Sequence, residues 1–201
     1  MLTLYDYLSS GNGYKCRLLL NQLGIPYHRV ELDIMKGETR TPEFLAKNPN
    51  GRIPALALED GTIIAESNAI LFYLAEGTPY LPADRLGRAQ VLQWLFFEQY
   101  SHEPFVAVAR FINHLLPPDT PRRAELPRLE QGGYAALGVM ESRLADHPFL
   151  VADCYTIADI ALYAYTHVAD EGGFDLGDYP CVRAWLARVA GQPRHLRITA
   201  G

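Results

Sequence analysis

Asn48-Pro49-Asn50-Gly51-Arg52-Ile53-Pro54 and, a little downstream, Glu66-Ser67-Asn68-Ala69-Ile70-Leu71 are the stretches whose reading decides the fold. Between them lie two apolar runs of strand length, Ala55 to Leu58 and Thr62 to Ala65, with Glu59-Asp60-Gly61 as the tight turn of a hairpin. Ser67 then stands where the second strand gives way to a helix, as a cap for it. A hydroxyl and the free amides of a helix start can hold a carboxylate, and the neighbouring Glu66 can hold an ammonium. A group carrying both charges on one carbon is the α-amino-acid end of a small peptide. Upstream stands an Ile53-Pro54 bond; if it is cis, it leaves the backbone of Ile53 unpaired and facing a groove, where an extended peptide can lie.

Working outward from this pair, residues 2 to 5 read as a short strand and Gly11-Asn12-Gly13 as a turn. Leu18, Leu19, Leu20 and Leu23 make the apolar face of a helix that Gly24 and Pro26 stop. Tyr27 to Leu32 alternates as a second strand, and Thr41-Pro42-Glu43-Phe44 is a helix start with proline at its first position. The order is strand, helix, strand, helix, strand, strand, helix, ending near Gly77. Residues 78–86, beginning Thr78-Pro79-Tyr80-Leu81-Pro82, read as a linker, and 87–201 as helical throughout, interrupted at Pro117, Pro118 and Pro121. In that half Thr156-Ile157-Ala158-Asp159 fits a capping box with Asp in place of Glu or Gln, worth about 1 kcal/mol. Tyr155 and Ile160 sit where a hydrophobic staple would, and Ala161 to Tyr165 reads as a buried helix.

Composition narrows the function classes. A chain of 201 residues with 49% hydrophobic and 20% charged residues is globular, with room for one large domain or two small ones. The net charge of −5 (18 basic against 23 acidic), without a basic run, argues against nucleic acid as a partner. No apolar run reaches membrane-spanning length, and Met1 to Asp6 lacks the pattern of a signal peptide. Cys16, Cys154 and Cys181 are odd in number and far apart, which suggests neither a disulfide framework nor a metal site. Gly11 to Cys16 lacks the third glycine of a dinucleotide loop, and His102-Glu103 lacks a second histidine at Val106. The expectation is a protein of the reducing cytoplasm without a metal.

Ser10-Gly11-Asn12, Ile53-Pro54, Glu66-Ser67 and Thr156 to Asp159, in this order and spacing, resemble the cytosolic glutathione transferases, in particular bacterial members of the serine type. The resemblance covers nearly the whole chain. It implies a thioredoxin-like α/β domain over 1–77, an all-helical domain over 87–201, glutathione as co-substrate, a homodimer, and conjugation of the glutathione thiolate to small apolar electrophiles in detoxification. A free thiol has a pKa of about 8.5, so the site must favour the anion. Ser10 is the implied donor to sulfur, helped by the helix start and by Asn12. Its spacing to Lys15 matches the zeta-like pattern, although Ser10 could equally serve only as a helix cap. Tyr5 and Tyr7 are rival donors, with packing on the sheet the preferred reading. Glu66 and Ser67 are expected to hold the γ-glutamyl end, Ile53 and Pro54 the peptide backbone, and Arg52 a carboxylate. Thr39, beside Arg40, occupies the loop that meets the glycyl end, where relatives place Gln or His. Tyr7, Tyr100 and Phe105 are candidates for the electrophile pocket, with Phe97, His102 and Arg110 nearby. Two alternatives stay open on the same fold: a glutathione-dependent disulfide reductase or peroxidase, and a non-catalytic interaction protein.

Overall fold

Leu2–Asp6 (β1) is the strand around which the first unit is laid down, because its buried Leu4 and Asp6 face the layer of helices that follows. Tyr27–Glu31 (β2) pairs parallel to it. Ala55–Ala57 (β3) pairs antiparallel on its other side, placing Leu4 opposite Leu56, and Ile63–Ala65 (β4) closes the hairpin with β3. The sheet order is β2-β1-β3-β4. A computed structural model describes residues 1–151 and 153–200 of the chain.

Three α-helices complete the first unit: Gly11–Leu23 (α1), Pro42–Lys47 (α2) and Ser67–Ala75 (α3). Each boundary has a local cause. Gly24, in the left-handed conformation at φ 69°, ends α1 and donates to the carbonyls of Leu20 and Asn21. Thr41 caps α2 by accepting from Phe44 N, with Pro42 at the first helical position as expected. The parallel β1–α1–β2 crossover and the antiparallel hairpin make a thioredoxin-like sheet, in the element order expected from the sequence.

The chain divides into two units, Met1–Thr78 with Pro193–Gly201, and Pro79–Gln192. The expectation that 87–201 forms one helical domain therefore needs correction at its end. The tail joins the first unit, where Tyr14 Oη donates to the Leu196 carbonyl at 2.6 Å and Asn21 Nδ2 donates to that of Arg194 at 2.6 Å.

The second unit is helical. Arg85–Phe97 (α4), capped by Asp84, runs on through a π-helical turn, Glu98–His102, into Glu103–Arg110 (α5) and a second π-helical turn, Phe111–Leu115. Pro104 accounts for the first wide turn: it has no N–H to donate, and Glu103 N reaches back to the Glu98 carbonyl. Leu126–Leu144 (α6), Ile157–Thr166 (α7) and Pro180–Ala190 (α8) follow. Every residue of α7 is buried, as expected for a helix that is apolar apart from Asp159 near its start and Thr166 at its end. Among the described residues no helix is long and apolar enough to cross a membrane.

Thr156 and Asp159 form the expected capping box, and Asp159 does more than cap. It is fully buried and accepts from Thr156 N at 2.9 Å, Leu150 N at 3.1 Å and the Trp185 indole on α8 at 2.9 Å. Burial raises its pKa to about 6, against the pull of these donors. Truncating it strands buried donors on three segments, which costs more than an ordinary cap. Asp159→Ala should lower stability by about 2–4 kcal/mol without changing ligand affinity at equal folded fraction. Urea unfolding that shows a loss of about 1 kcal/mol or less would mean that the Leu150 and Trp185 bonds contribute little.

Candidate functional site

The start of α1 follows directly from the end of β1. Ser10 is the N-cap: its Oγ accepts from Gly13 N at 3.2 Å, and its own amide closes a turn onto the Tyr7 carbonyl at 2.8 Å. Gly11, Asn12 and Gly13, read from sequence as a turn, are instead the first turn of the helix. Accepting from Gly13 leaves Ser10 its hydroxyl proton to donate. Gly13 has to be glycine, because a Cβ there would lie 1.5 Å from Asp6 Oδ1. That close approach sets α1 down on the buried Asp6 carboxylate. Asp6 accepts from Tyr7 N at 2.7 Å and faces Arg17 Nε at 2.8 Å, both side chains being fully buried. Burial raises the Asp6 pKa to about 6, opposed by Arg17, the Tyr7 amide and Arg29. This pair was missed from sequence, although an aspartate inside an apolar strand and an arginine between Cys16 and Leu18 were the available signal.

The start of α3 differs from the sequence expectation in one respect. Glu66, not Ser67, occupies the cap position, and it makes no side-chain cap bond; Ser67 is the first helical residue. Glu66 has φ 69° and ψ 117°, a left-handed conformation that non-glycine residues rarely adopt. Its side chain is exposed and its carbonyl accepts from Ile70 N at 3.0 Å. A backbone strained in this way is retained where the geometry is used. Ser67 is buried: its Oγ donates to Asn12 Oδ1 at 3.3 Å and accepts from Lys15 Nζ at 3.3 Å. Lys15 Nζ also reaches Asn68 Oδ1 at 3.5 Å. The first turns of α1 and α3 are thus tied together. Each brings the partial positive charge of a helix start, and together they make a place suited to an anionic ligand with Glu66 at its edge.

The remaining candidates are more scattered. The Ile53-Pro54 peptide is cis, Pro54 is buried and Ile53 half-buried. The buried Asn48 pins this loop, donating to the Arg52 carbonyl at 2.8 Å and accepting from Asn50 N at 3.2 Å. The Arg52 side chain is exposed. Thr39 is buried, so the exposed polar side chain of its short 3-10 turn is Arg40, which donates to the Asn50 carbonyl at 3.1 Å. Tyr5 packs edge-on against Phe44 with Lys47 over its ring, consistent with the packing reading. Tyr7 is half-buried in the loop before Ser10.

In the second unit Tyr100 is 85% exposed, whereas Phe105 packs on α6, where a Cβ at Gly132 would lie 2.2 Å from its ring. His102 is buried against Thr166 Oγ1 at 3.0 Å, and Arg110 is paired with Glu171 at 2.6 Å. Phe105, His102 and Arg110 thus serve the packing of their own unit. Cys16 is fully buried and its thiol is pushed far up in pKa by desolvation, which leaves it inert. Among the described residues no group of three or more His, Cys, Asp or Glu could hold a metal ion.

Residues 1–76 match the family description "Glutathione S-transferase, N-terminal domain" and residues 106–193 "Glutathione S-transferase, C-terminal domain". The disulfide-bond oxidoreductase YfcG of Escherichia coli is 34% identical over 96% of this chain and 92% of its own. A crystal structure of a glutathione S-transferase from Pseudomonas fluorescens superposes with a TM-score of 0.94 at 57% identity, covering 98% of both chains. The structure of Ure2p in complex with glutathione superposes at 0.87 with 31% identity, covering 96% of this chain and 95% of that one. With both domains matched in order and relatives covered over nearly their whole length, the chain belongs to the glutathione S-transferase family.

Proposed function

We propose that this protein binds glutathione at the joined starts of α1 and α3 and transfers its thiolate to a small apolar electrophile. The observation that carries this reading is the Ser67–Asn12 bond, which ties a helix start suited to a carboxylate to one suited to a thiolate. The γ-glutamyl carboxylate takes the amides at the start of α3, and its ammonium takes Glu66. Ile53 holds the peptide backbone and Arg52 a carboxylate, with Arg40 a better placed partner than Thr39 for the glycyl end. The sulfur lies at the start of α1, where the Ser10 hydroxyl, the Asn12 amide and the helix amides favour the anion. The thiolate attacks the electrophilic carbon, a C–S bond forms and the leaving group departs with its electron pair.

A second reading is favoured by the named activity of the E. coli relative. The helix start carries a serine and no cysteine, so disulfide reduction here would run through glutathione itself. The bound thiolate would attack a substrate disulfide, form a mixed disulfide and expel the other sulfur as thiolate; a second glutathione would then resolve it, leaving glutathione disulfide. With glutathione held constant, a panel of aryl halides, disulfides and hydroperoxides separates the two readings by relative turnover. Glutathione binding without turnover on any of them would mark a non-catalytic protein.

We also propose a homodimer in the cytoplasm; the dimer is supported by Leu92, Phe96 and Tyr100, which leave large apolar surface exposed along α4 and the turn after it. Phe96→Asp is expected to give a monomer in sedimentation where the wild type sediments as a dimer; two species of equal mass would remove this surface from consideration.

Two sets of variants test the site. Glu66→Ala should weaken glutathione binding by about tenfold to a hundredfold, the range for a hydrogen bond to a charged group. Glu66→Gly should lose affinity equally while keeping or raising the melting temperature, because glycine relieves the φ 69° strain. Unchanged calorimetric affinity in either folded variant would remove Glu66 from the site. Ser10→Ala should raise the pKa of the bound thiol and lower turnover at neutral pH by about 10- to 1000-fold, as for loss of an oxyanion donor, with much of it recovered at high pH. Asn12→Ala should show a smaller loss of the same kind. The measurement is thiolate absorbance of bound glutathione against pH. A shift in Tyr5→Phe or Tyr7→Phe with none in Ser10→Ala would assign the role to a tyrosine instead.

A further inference from the structure

Lys15 is fully buried on α1, one of the largest side chains in the chain to be so. An ammonium leaves water at a high cost unless its protons find acceptors. Two of its acceptors are Ser67 Oγ at 3.3 Å and Asn68 Oδ1 at 3.5 Å, both in the first turn of α3. An ammonium can only donate, so the Ser67 oxygen must accept from it. The hydroxyl proton of Ser67 then turns elsewhere, and it meets Asn12 Oδ1 at 3.3 Å. The two ends of a carboxamide point different ways. With Oδ1 held by Ser67, the Nδ2 donors of Asn12 face away from that bond.

We propose that Lys15 is a positioning residue: its charge sets the direction of the chain Lys15 to Ser67 to Asn12, and thereby turns the Asn12 amide to present N–H, and not carbonyl oxygen, to the glutathione sulfur. This rests on the reading of the α1 start as the thiolate site. It also means that Ser67 spends its hydroxyl proton inside the protein and offers the γ-glutamyl carboxylate its backbone amide. Without Lys15, Ser67 loses its obligatory donor and can rotate. Asn12 can then flip, bringing Oδ1 toward a thiolate, which an acceptor disfavours.

The test is the pH titration of thiolate absorbance in enzyme saturated with glutathione, with circular dichroism to confirm folding. Lys15→Met should raise the bound thiol pKa by about one unit, a tenfold loss of thiolate, and lower neutral-pH turnover by about the same factor with recovery at high pH. Ser67→Ala should reproduce the shift and Ser67→Thr, which keeps the hydroxyl, should not. The double variant Lys15→Met/Ser67→Ala should be no worse than either single one, because both act through the same bond. A wild-type thiol pKa in folded Lys15→Met overturns the inference. So do additive shifts in the double variant, which would show Lys15 acting directly as a charge. If Lys15→Met does not fold, the Ser67→Ala and Ser67→Thr pair decides: equal thiol pKa values overturn the relay. If the wild-type enzyme itself does not lower the thiol pKa of glutathione, the thiolate reading fails, and this inference with it.

Discussion

The first unit depends on one buried guanidinium. Arg17 is fully enclosed: its Nε faces Asp6 at 2.8 Å, one terminal nitrogen donates to the Leu8 carbonyl at 2.7 Å, and the other to the carbonyls of Ile198, at 3.0 Å, and Ala200. These four contacts from one rigid fork tie together the end of β1, the loop that leads to Ser10, and the chain's tail. A buried pair of this kind adds little net stability compared with an apolar substitute, because both charges are desolvated. What it supplies is uniqueness: a misplaced α1 would leave a buried charge unpaired. The start of α1 is thus held to one position, and the proposed thiolate site depends on that position.

Next to this fixed point the protein keeps a strained one. Glu66 holds a left-handed backbone conformation without the glycine that would make it easy. The strain is sustained because both neighbours are anchored, β4 through its ladder to β3 and α3 through Ser67 to Asn12 and Lys15. A rigid α1 and a strained approach to α3 suit a site that has to meet a small charged peptide in a preformed shape.

The second unit solves a different problem with similar means. Its central helix, α7, offers no polar face, so polar anchors are needed at its ends. Asp159 gathers donors from three segments at its start. The start of α8 has no local cap, and Glu141 on α6 supplies one, accepting from Cys181 N and Val182 N at 2.9 Å each. Burial pushes the Glu141 carboxyl up, but those amide bonds outweigh it and hold the pKa below its usual value. Buried acids in both units therefore act as joints between elements.

Much of this was legible in the residue order. Hydrophobic periodicity, Gly24, Pro42 and the Glu59-Asp60-Gly61 turn mark elements whose causes lie within a few residues, and those elements form as expected. The capping box at Thr156 to Asp159 was legible for the same reason, and so was Ser10 as a cap of α1, since helix starts carry local signatures. Other features could not be read because their causes are distant in sequence. Only the folded chain puts Asp6 where the Cβ of residue 13 would be, which makes Gly11 to Gly13 part of a helix when their composition spells a turn. Only it moves the cap of α3 from Ser67 to Glu66, by spending the serine's hydroxyl on Asn12. Only it returns the tail to Tyr14 and Arg17, and buries Thr39 while leaving Arg40 exposed. Apart from the first turn of α1, sequence alone determined which segments are helix or strand, because propensity and capping act over a single turn of chain. Tertiary structure decided which polar groups face one another, because a hydrogen bond out of water takes whatever partner the packing brings within about 3 Å.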